Sequence, residues 1–180
     1  MEVPEQPLSA AAFEDLALPL FDQLYNFAHW LTQDRSEAED LVQETYAKAL
    51  RGFSSFQRGT NFRAWMFRIL RNSFLSSRTG LKSMVTFNDD EDTAIASPDP
   101  TPEAVLLEQA DRDSVRQALR GLSVPYREIL LLCEVEEMSY EEIAQTLTIP
   151  TGTVMSRLHR ARKALRASLG ARQKGGSNAL

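Results

Sequence analysis

Several things this chain has little of narrow its chemistry before any motif is read. Cys133 is its one cysteine, which excludes an internal disulfide and a multi-cysteine metal site. Following Ile129, Leu130, Leu131 and Leu132, it reads as a buried core residue rather than a redox sensor. His29 and His159 are too few and too scattered to hold a metal by themselves, so neither a metal nor any other cofactor is expected. No apolar run is long enough to cross a bilayer, and the acidic N-terminus is unlike a secretory signal. A cytoplasmic protein with no membrane insertion of its own is therefore expected. Enzyme signatures are also missing: there is no Gly-rich phosphate loop, no supported Ser/His/Asp set and no carboxylate pair in an apolar setting. Glu141–Glu142 and Asp89–Asp92 fall at a helix start and in a linker, where catalysis is not needed to explain them, so no enzyme is expected. Strand-like alternation is absent too, which predicts an all-α fold in two small helical domains.

What the chain does have is segregated charge. The net charge is −5, yet residues 51–82 carry seven bases and no acid, and residues 143–180 again seven bases and no acid. Residues 1–50 carry ten acids against two bases, and 83–114 nine against one. Two acid-free basic blocks separated by an acidic connector predict two surfaces that face nucleic acid.

Along the chain, residues 1–12 read as a flexible N-terminus with Pro4 and Pro7. Phe13 to Leu31 has helical spacing, with Pro19 an interruption. Ser36 and Glu39 form a capping-box pattern that opens a helix through about Leu50. That helix turns Leu41, Val42, Thr45 and Ala49 one way and Asp40, Gln43, Glu44, Ala47 and Lys48 the other; the second face is either solvated or a partner surface. Residues 51–61 read as a loop holding Phe53 and Phe56. A helix follows from Asn61 to about Ser77, with Phe62, Trp65, Met66 and Ile69 inward and Arg68, Arg71 and Arg78 outward. Aromatics among cations can stack unpaired bases, or simply form core. Core is the better reading for Phe62 and Trp65; for Phe56 both stay open. Residues 83–104 form an acidic linker with Pro98, Pro100 and Pro102 at alternate positions. A helix is expected from near Pro102 past Leu119, and Ser123-Val124-Pro125 opens another through Glu134, with Ile129, Leu130, Leu132 and Cys133 as core.

Residues 139–166 are the most informative stretch. Ser139 and Glu142 make a second capping-box pattern ahead of Ile143, Ala144 and Leu147. Pro150 and Gly152 interrupt the helix, and a second one is expected from about Thr153 with Thr151 as cap. In it Val154, Leu158, Ala161 and Leu165 form an inward stripe, opposite Ser156, His159, Arg160 and Lys163, with Met155 and Arg166 at an edge. Two helices across a short turn, the second basic, suit the DNA major groove: Arg160 can pair with a guanine edge and Lys163 and Arg166 with phosphates. Arg157 and Arg162 lie on the flanks, where a structural role is at least as good a reading. The plain alternative is a solvated face of a helical bundle.

Taken in order, these segments resemble the extracytoplasmic-function sigma factors of the sigma-70 family. Residues 38–49 are similar to region 2.2, residues 53–72 to regions 2.3 and 2.4, and residues 122–132 with 139–166 to regions 4.1 and 4.2. The resemblance implies a region 2 domain at 13–82, a region 4 helix-turn-helix domain at 105–169 and a flexible tail at 170–180. It implies a dissociable RNA polymerase subunit directing promoter-specific initiation. Asp40, Gln43, Glu44 and Ala47 would bind core polymerase, through its β and β′ subunits. Phe56, Arg58, Thr60, Asn61, Arg68, Arg71 and Asn72 would hold the opened −10 strand. Thr151, Thr153, Met155, Ser156, His159, Arg160, Lys163 and Arg166 would read the −35 duplex. The acidic linker would run through the polymerase's RNA path. An anti-sigma factor is the implied regulatory partner. Phe56 to Asn61 and Gly152 to Arg160 most resemble the thiol-oxidative-stress subgroup, whose anti-sigma factor contains zinc. A stand-alone helix-turn-helix regulator is the competing reading, and it leaves the basic block at 51–82 without a purpose.

Overall fold

The computed structural model describes residues 10–79 and 112–175, with side chains described through Arg78 and from Arg112 to Ala171. Among the described residues every element is helical and none is a strand, as the periodicity predicts. The linker at 83–104, the start of the helix expected near Pro102, residues 1–9 and residues 176–180 lie outside the described residues, while residues 10–12 and 170–175, read as parts of flexible termini, are helical. The described residues of Met1–Ser83 and Glu141–Thr148 form one compact unit, and those of Met84–Tyr140 and Ile149–Leu180 form another.

In the first unit, α1 (Ala10–Ala17) gives way to a 3-10 turn at Leu18–Leu20 and then to α2 (Phe21–Thr32). Pro19 has no N–H to continue the α ladder, and the tighter turn absorbs the break. Helix α3 (Arg35–Gly52) is capped by Asp34, whose side chain accepts from the Glu37 N–H at 2.8 Å. The expected Ser36 box is therefore displaced by two residues. A carboxylate on extended backbone reaches the orphan N–H groups first, and its charge suits the helix N-terminus. Helix α4 (Phe62–Thr79) starts at Asn61, whose Oδ1 accepts from the Ala64 N–H at 2.9 Å.

Helix α3 packs between α2 and α4. Leu24, Phe27, Ala28 and Leu31 of α2 and Ala38, Leu41, Val42 and Ala49 of α3 are buried with Ala64, Met66, Phe67, Leu70 and Phe74 of α4. Each fully buried large side chain stabilises the unit by roughly 1.5–3 kcal/mol. Thr45 joins this core because its Oγ1 donates back to the Leu41 carbonyl at 2.7 Å, leaving no unpaired hydroxyl. The inward stripe of α4 differs from expectation: Met66, Phe67, Leu70 and Phe74 are buried, while Phe62, Trp65 and Ile69 sit half-buried at its edge.

In the second unit, α5 (Arg112–Gly121) leads to α6 (Val124–Leu130), which continues as a π turn at Leu131–Val135. Arg127 is buried and donates to three carbonyls at the end of α5: Leu119 (3.1 Å), Arg120 (2.9 Å) and Leu122 (3.0 Å). One guanidinium thus helps close the helix terminus, beside the Leu122 N–H that bonds the Leu119 carbonyl at 3.1 Å. The π turn rotates the chain relative to an ideal α-helix, so Leu131 joins the core alongside Ile129, Leu130 and Leu132, while Cys133 is only half-buried.

Helix α7 (Tyr140–Leu147) begins where Ser139 predicts, and Thr148 follows it in the left-handed region at φ 57°. Helix α8 (Thr151–Gly175) begins two residues earlier than expected. The Val154 N–H already bonds the Pro150 carbonyl at 3.1 Å, so Thr151 is the first helical residue rather than the cap. Proline at the entry carries no N–H to satisfy, which makes the early start inexpensive.

Candidate nucleic-acid interface

Three surfaces carry the residues singled out by the sequence. The first is the outer ridge of α3, where Asp40, Gln43, Glu44 and Ala47 are all exposed. Lys48, expected on the same face, instead pairs with Glu44 and donates to Ser73 Oγ on α4 at 3.0 Å. On the other flank, Tyr46 donates its hydroxyl to the Ala17 carbonyl at 2.6 Å. The ridge is held by hydrogen bonds to α1 on one side and to α4 on the other.

The second surface is the loop before α4. Thr60 N–H bonds the Gln57 carbonyl at 3.2 Å, its hydroxyl donates to the same oxygen at 2.6 Å, and Gly59 at φ 83° supplies the left-handed corner. Arg58, Gly59 and Thr60 are exposed at the tip, and Asn72 is exposed about three turns along α4. Arg68 and Arg71 are half-buried. Phe56 departs from its expected place. Its ring is 9% exposed and packs on Phe62 (5.3 Å between centroids), Trp65 (5.1 Å) and Phe53 (6.1 Å). Five aromatic residues, Phe13, Phe53, Phe56, Phe62 and Trp65, need one another's surface in a region with few aliphatics, and Phe56 is drawn inside. Its ring offers no free face to a base, whereas Phe62 and Trp65, read as core from the sequence, keep part of theirs exposed.

The third surface is α8. Val154, Leu158, Ala161 and Leu165 are buried, as their spacing requires. Thr151, His159, Lys163 and Arg166 are exposed, and Thr153, Met155, Ser156 and Arg160 are half-buried. The Ser156 hydroxyl donates to the Thr153 carbonyl at 3.1 Å, so toward a ligand it can only accept. On the flank, Arg162 bonds Glu134 Oε1 at 2.7 and 3.1 Å and approaches Cys133 Sγ at 3.7 Å. Burial pulls the Arg162 guanidinium down, but its hydrogen bond and charge pairing with Glu134 outweigh this and raise it overall. Burial, reinforced by the Glu134 carboxylate, pushes the Cys133 thiol up to about 11. At neutral pH Cys133 is a protonated, poorly nucleophilic thiol.

Among the described residues no group of three or more His, Cys, Asp or Glu comes together to hold a metal ion, and no helix is long and apolar enough to cross a membrane.

The described residues, all helical, with an exposed acidic ridge, a polar loop opening a cationic helix and a basic helix after a short turn, agree with what resemblance to the sigma-70 class of initiation factors implies. Residues 19–83 match Sigma-70 region 2, and residues 112–165 match Sigma-70, region 4. The chain is 35% identical to the ECF RNA polymerase sigma factor SigE of Mycolicibacterium smegmatis, over 92% of this chain and 69% of that protein. It is 36% identical to the ECF RNA polymerase sigma factor EcfG of Rhodopseudomonas palustris, over 91% and 87%. Among solved structures it resembles the sigma factor RpoE of Bartonella quintana, crystallised with the anti-sigma factor NepR, with a TM-score of 0.69, 32% identity and coverage of 89% of this chain and 98% of that one. It also resembles CnrH in complex with the cytosolic domain of CnrY, with a TM-score of 0.65, 26% identity and coverage of 91% and 90%. The chain belongs to the ECF RNA polymerase sigma factors, which direct promoter-specific transcription initiation. The competing reading, a stand-alone helix-turn-helix regulator, accounts for neither the region 2 match nor these relatives.

Proposed function

We propose that this sigma factor docks on core RNA polymerase through the α3 ridge, holds the opened −10 strand at the 56–61 loop and α4, and reads the −35 duplex with α8. The observation that carries this reading is the joint exposure of Asp40, Gln43, Glu44 and Ala47 on one ridge, a face that is mostly acidic and polar and has no role in the core. This ridge would meet the β′ subunit, with further contacts to β. On the strand side Arg58, Arg68 and Arg71 supply positive charge, and Thr60, Asn61 and Asn72 supply polar edges. Phe62 and Trp65 take the stacking role that the buried Phe56 cannot. On the duplex side Arg160 is the base-reading residue, His159, Lys163 and Arg166 hold phosphates, and Thr151, Thr153, Met155 and Ser156 line the approach.

The protein is held inactive by an anti-sigma factor and released under stress, a reading supported by the solved sigma factor RpoE bound to the anti-sigma factor NepR. The thiol-oxidative-stress subgroup remains the best motif match. A thiol pushed up to about 11 at Cys133 makes this chain a poor sensor, so sensing would fall to a zinc-containing partner. Transcription from a cognate promoter with added core polymerase tests the whole reading. Gln43→Ala with Glu44→Ala should weaken core binding about tenfold or more while leaving the fold intact. Undiminished core binding by that double variant would remove the ridge from the interface.

A further inference from the structure

Asn61 has two hydrogen-bonding ends, and both are engaged. Its Oδ1 is committed to capping α4 through the Ala64 N–H at 2.9 Å. Its Nδ2 donates to Glu142 Oε1 at 2.7 Å, across 81 residues of sequence. Glu142 stands in α7, within the same compact unit as α4, and both side chains are half-buried. Nothing in the capping role of Asn61 requires the second bond. A charge-assisted bond of this length is among the stronger kinds a side chain makes.

From this we infer that Glu142 is a built-in latch on the strand-binding loop. The inference rests on the reading of Asn61 as a base contact. Because Oδ1 cannot leave the cap without loosening the first turn of α4, the atom left to meet a base is Nδ2, a donor. Its natural ligand is an acceptor on a base edge, a keto oxygen or a ring nitrogen. The Glu142 carboxylate supplies that same chemistry from within the protein. It also places a negative charge where a phosphate-bearing strand would have to come. Nδ2 has two hydrogens, one held by Glu142 and the other facing a strand that must approach beside that carboxylate, so the strand surface is closed until the carboxylate is drawn away.

Fluorescence anisotropy of the full chain with a short fluorescein-labelled DNA single strand of mixed sequence tests the latch. Glu142→Ala is expected to tighten binding about three- to tenfold, the worth of one competing hydrogen bond. Glu142→Gln keeps an acceptor but drops the charge, and should gain less. Glu141→Ala removes the same charge from the adjacent exposed residue and should gain under about twofold. Asn61→Ser keeps a capping oxygen but loses the reach of Nδ2, and in that background Glu142→Ala should gain no more than Glu141→Ala does, the small part owed to charge alone. Equal gains from Glu141→Ala and Glu142→Ala, or a Glu142→Ala gain that survives Asn61→Ser undiminished, overturn the latch. The strand surface itself still stands in that case if Arg71→Ala weakens binding. If Arg71→Ala changes nothing and no variant binds the strand, the single-strand reading falls and the latch with it.

Discussion

Helices α4 and α8 carry most of the chain's positive charge, and they carry it differently. On α8 a single apolar stripe is buried and three basic or ionisable side chains, His159, Lys163 and Arg166, stand exposed. The flanking Arg162 is drawn into an ion pair with an acid, Glu134, next to the core. On α4 the cations are woven into the fold. Arg63 donates to Gln23 at 2.9 Å and lies over the Phe67 ring at 5.6 Å, while Arg78 pairs with Glu37 at 3.1 Å and covers Phe74 at 5.2 Å. A duplex reader needs a ridge that stands clear of its own core. A strand holder is built from edges of the core itself, and its aromatics serve packing and recognition together. An acid-free run of seven bases is thus not seven equivalent DNA contacts.

The sharpest way to break this contrast is at Phe56. If it belongs to the aromatic core, Phe56→Ala removes a buried ring and costs about 3–5 kcal/mol, seen as an early urea transition of the first unit. Phe56→Leu should cost far less and leave strand binding nearly unchanged, because no base stacks on that ring. Loss of strand binding by a stably folded Phe56→Leu would return Phe56 to the interface. The corresponding change on α8 is Arg160→Ala, which should cost about 1–3 kcal/mol at a −35 duplex and relax preference at one base position. Equal loss on every duplex would reduce Arg160 to a phosphate contact.

The same contrast explains what could be read from the sequence. On α8 inside and outside differ in polarity, so a period of 3.6 residues sorts Val154, Leu158, Ala161 and Leu165 from Lys163 and Arg166 without ambiguity. On α4 and the preceding loop the competitors are all aromatic. Hydrophobicity cannot rank Phe56 against Phe62 and Trp65; only three-dimensional fit does, and it places the loop residue deepest. The core-facing side of α3 was legible for the same reason as that of α8. The bond between Asn61 and Glu142 was not, because an amide and a carboxylate so distant in sequence leave no local trace.

A smaller effect separates reading from holding on α8. Lys163→Ala should weaken duplex binding about evenly across sequences, by roughly 1 kcal/mol or less, and reduce the slope of log affinity against log salt by about one. The salt series is the measurement that checks it. A loss confined to one sequence would make Lys163 a base contact.

The smallest effects concern the turn before α8, where the residue types stand in reversed places. Thr148 occupies the left-handed region at φ 57°, where a β-branched side chain is strained, while Gly152 lies in the helix with open space around its missing Cβ. Thr148→Gly should therefore stabilise the fold by about 1 kcal/mol, and Gly152→Ala by about 0.5–1 kcal/mol, both measured as a raised urea midpoint. The two should part company on DNA. Thr148 precedes the helix, and its replacement should leave duplex affinity nearly unchanged. Gly152 sits in the first turn of α8, where the positive end of the helix dipole invites a phosphate to approach the backbone closely. A Cβ there should weaken duplex binding even as it strengthens the fold. If Gly152→Ala stabilises and binds as well as before, the DNA backbone does not come near this turn, and the contacts of α8 must begin further along, toward His159 and Lys163.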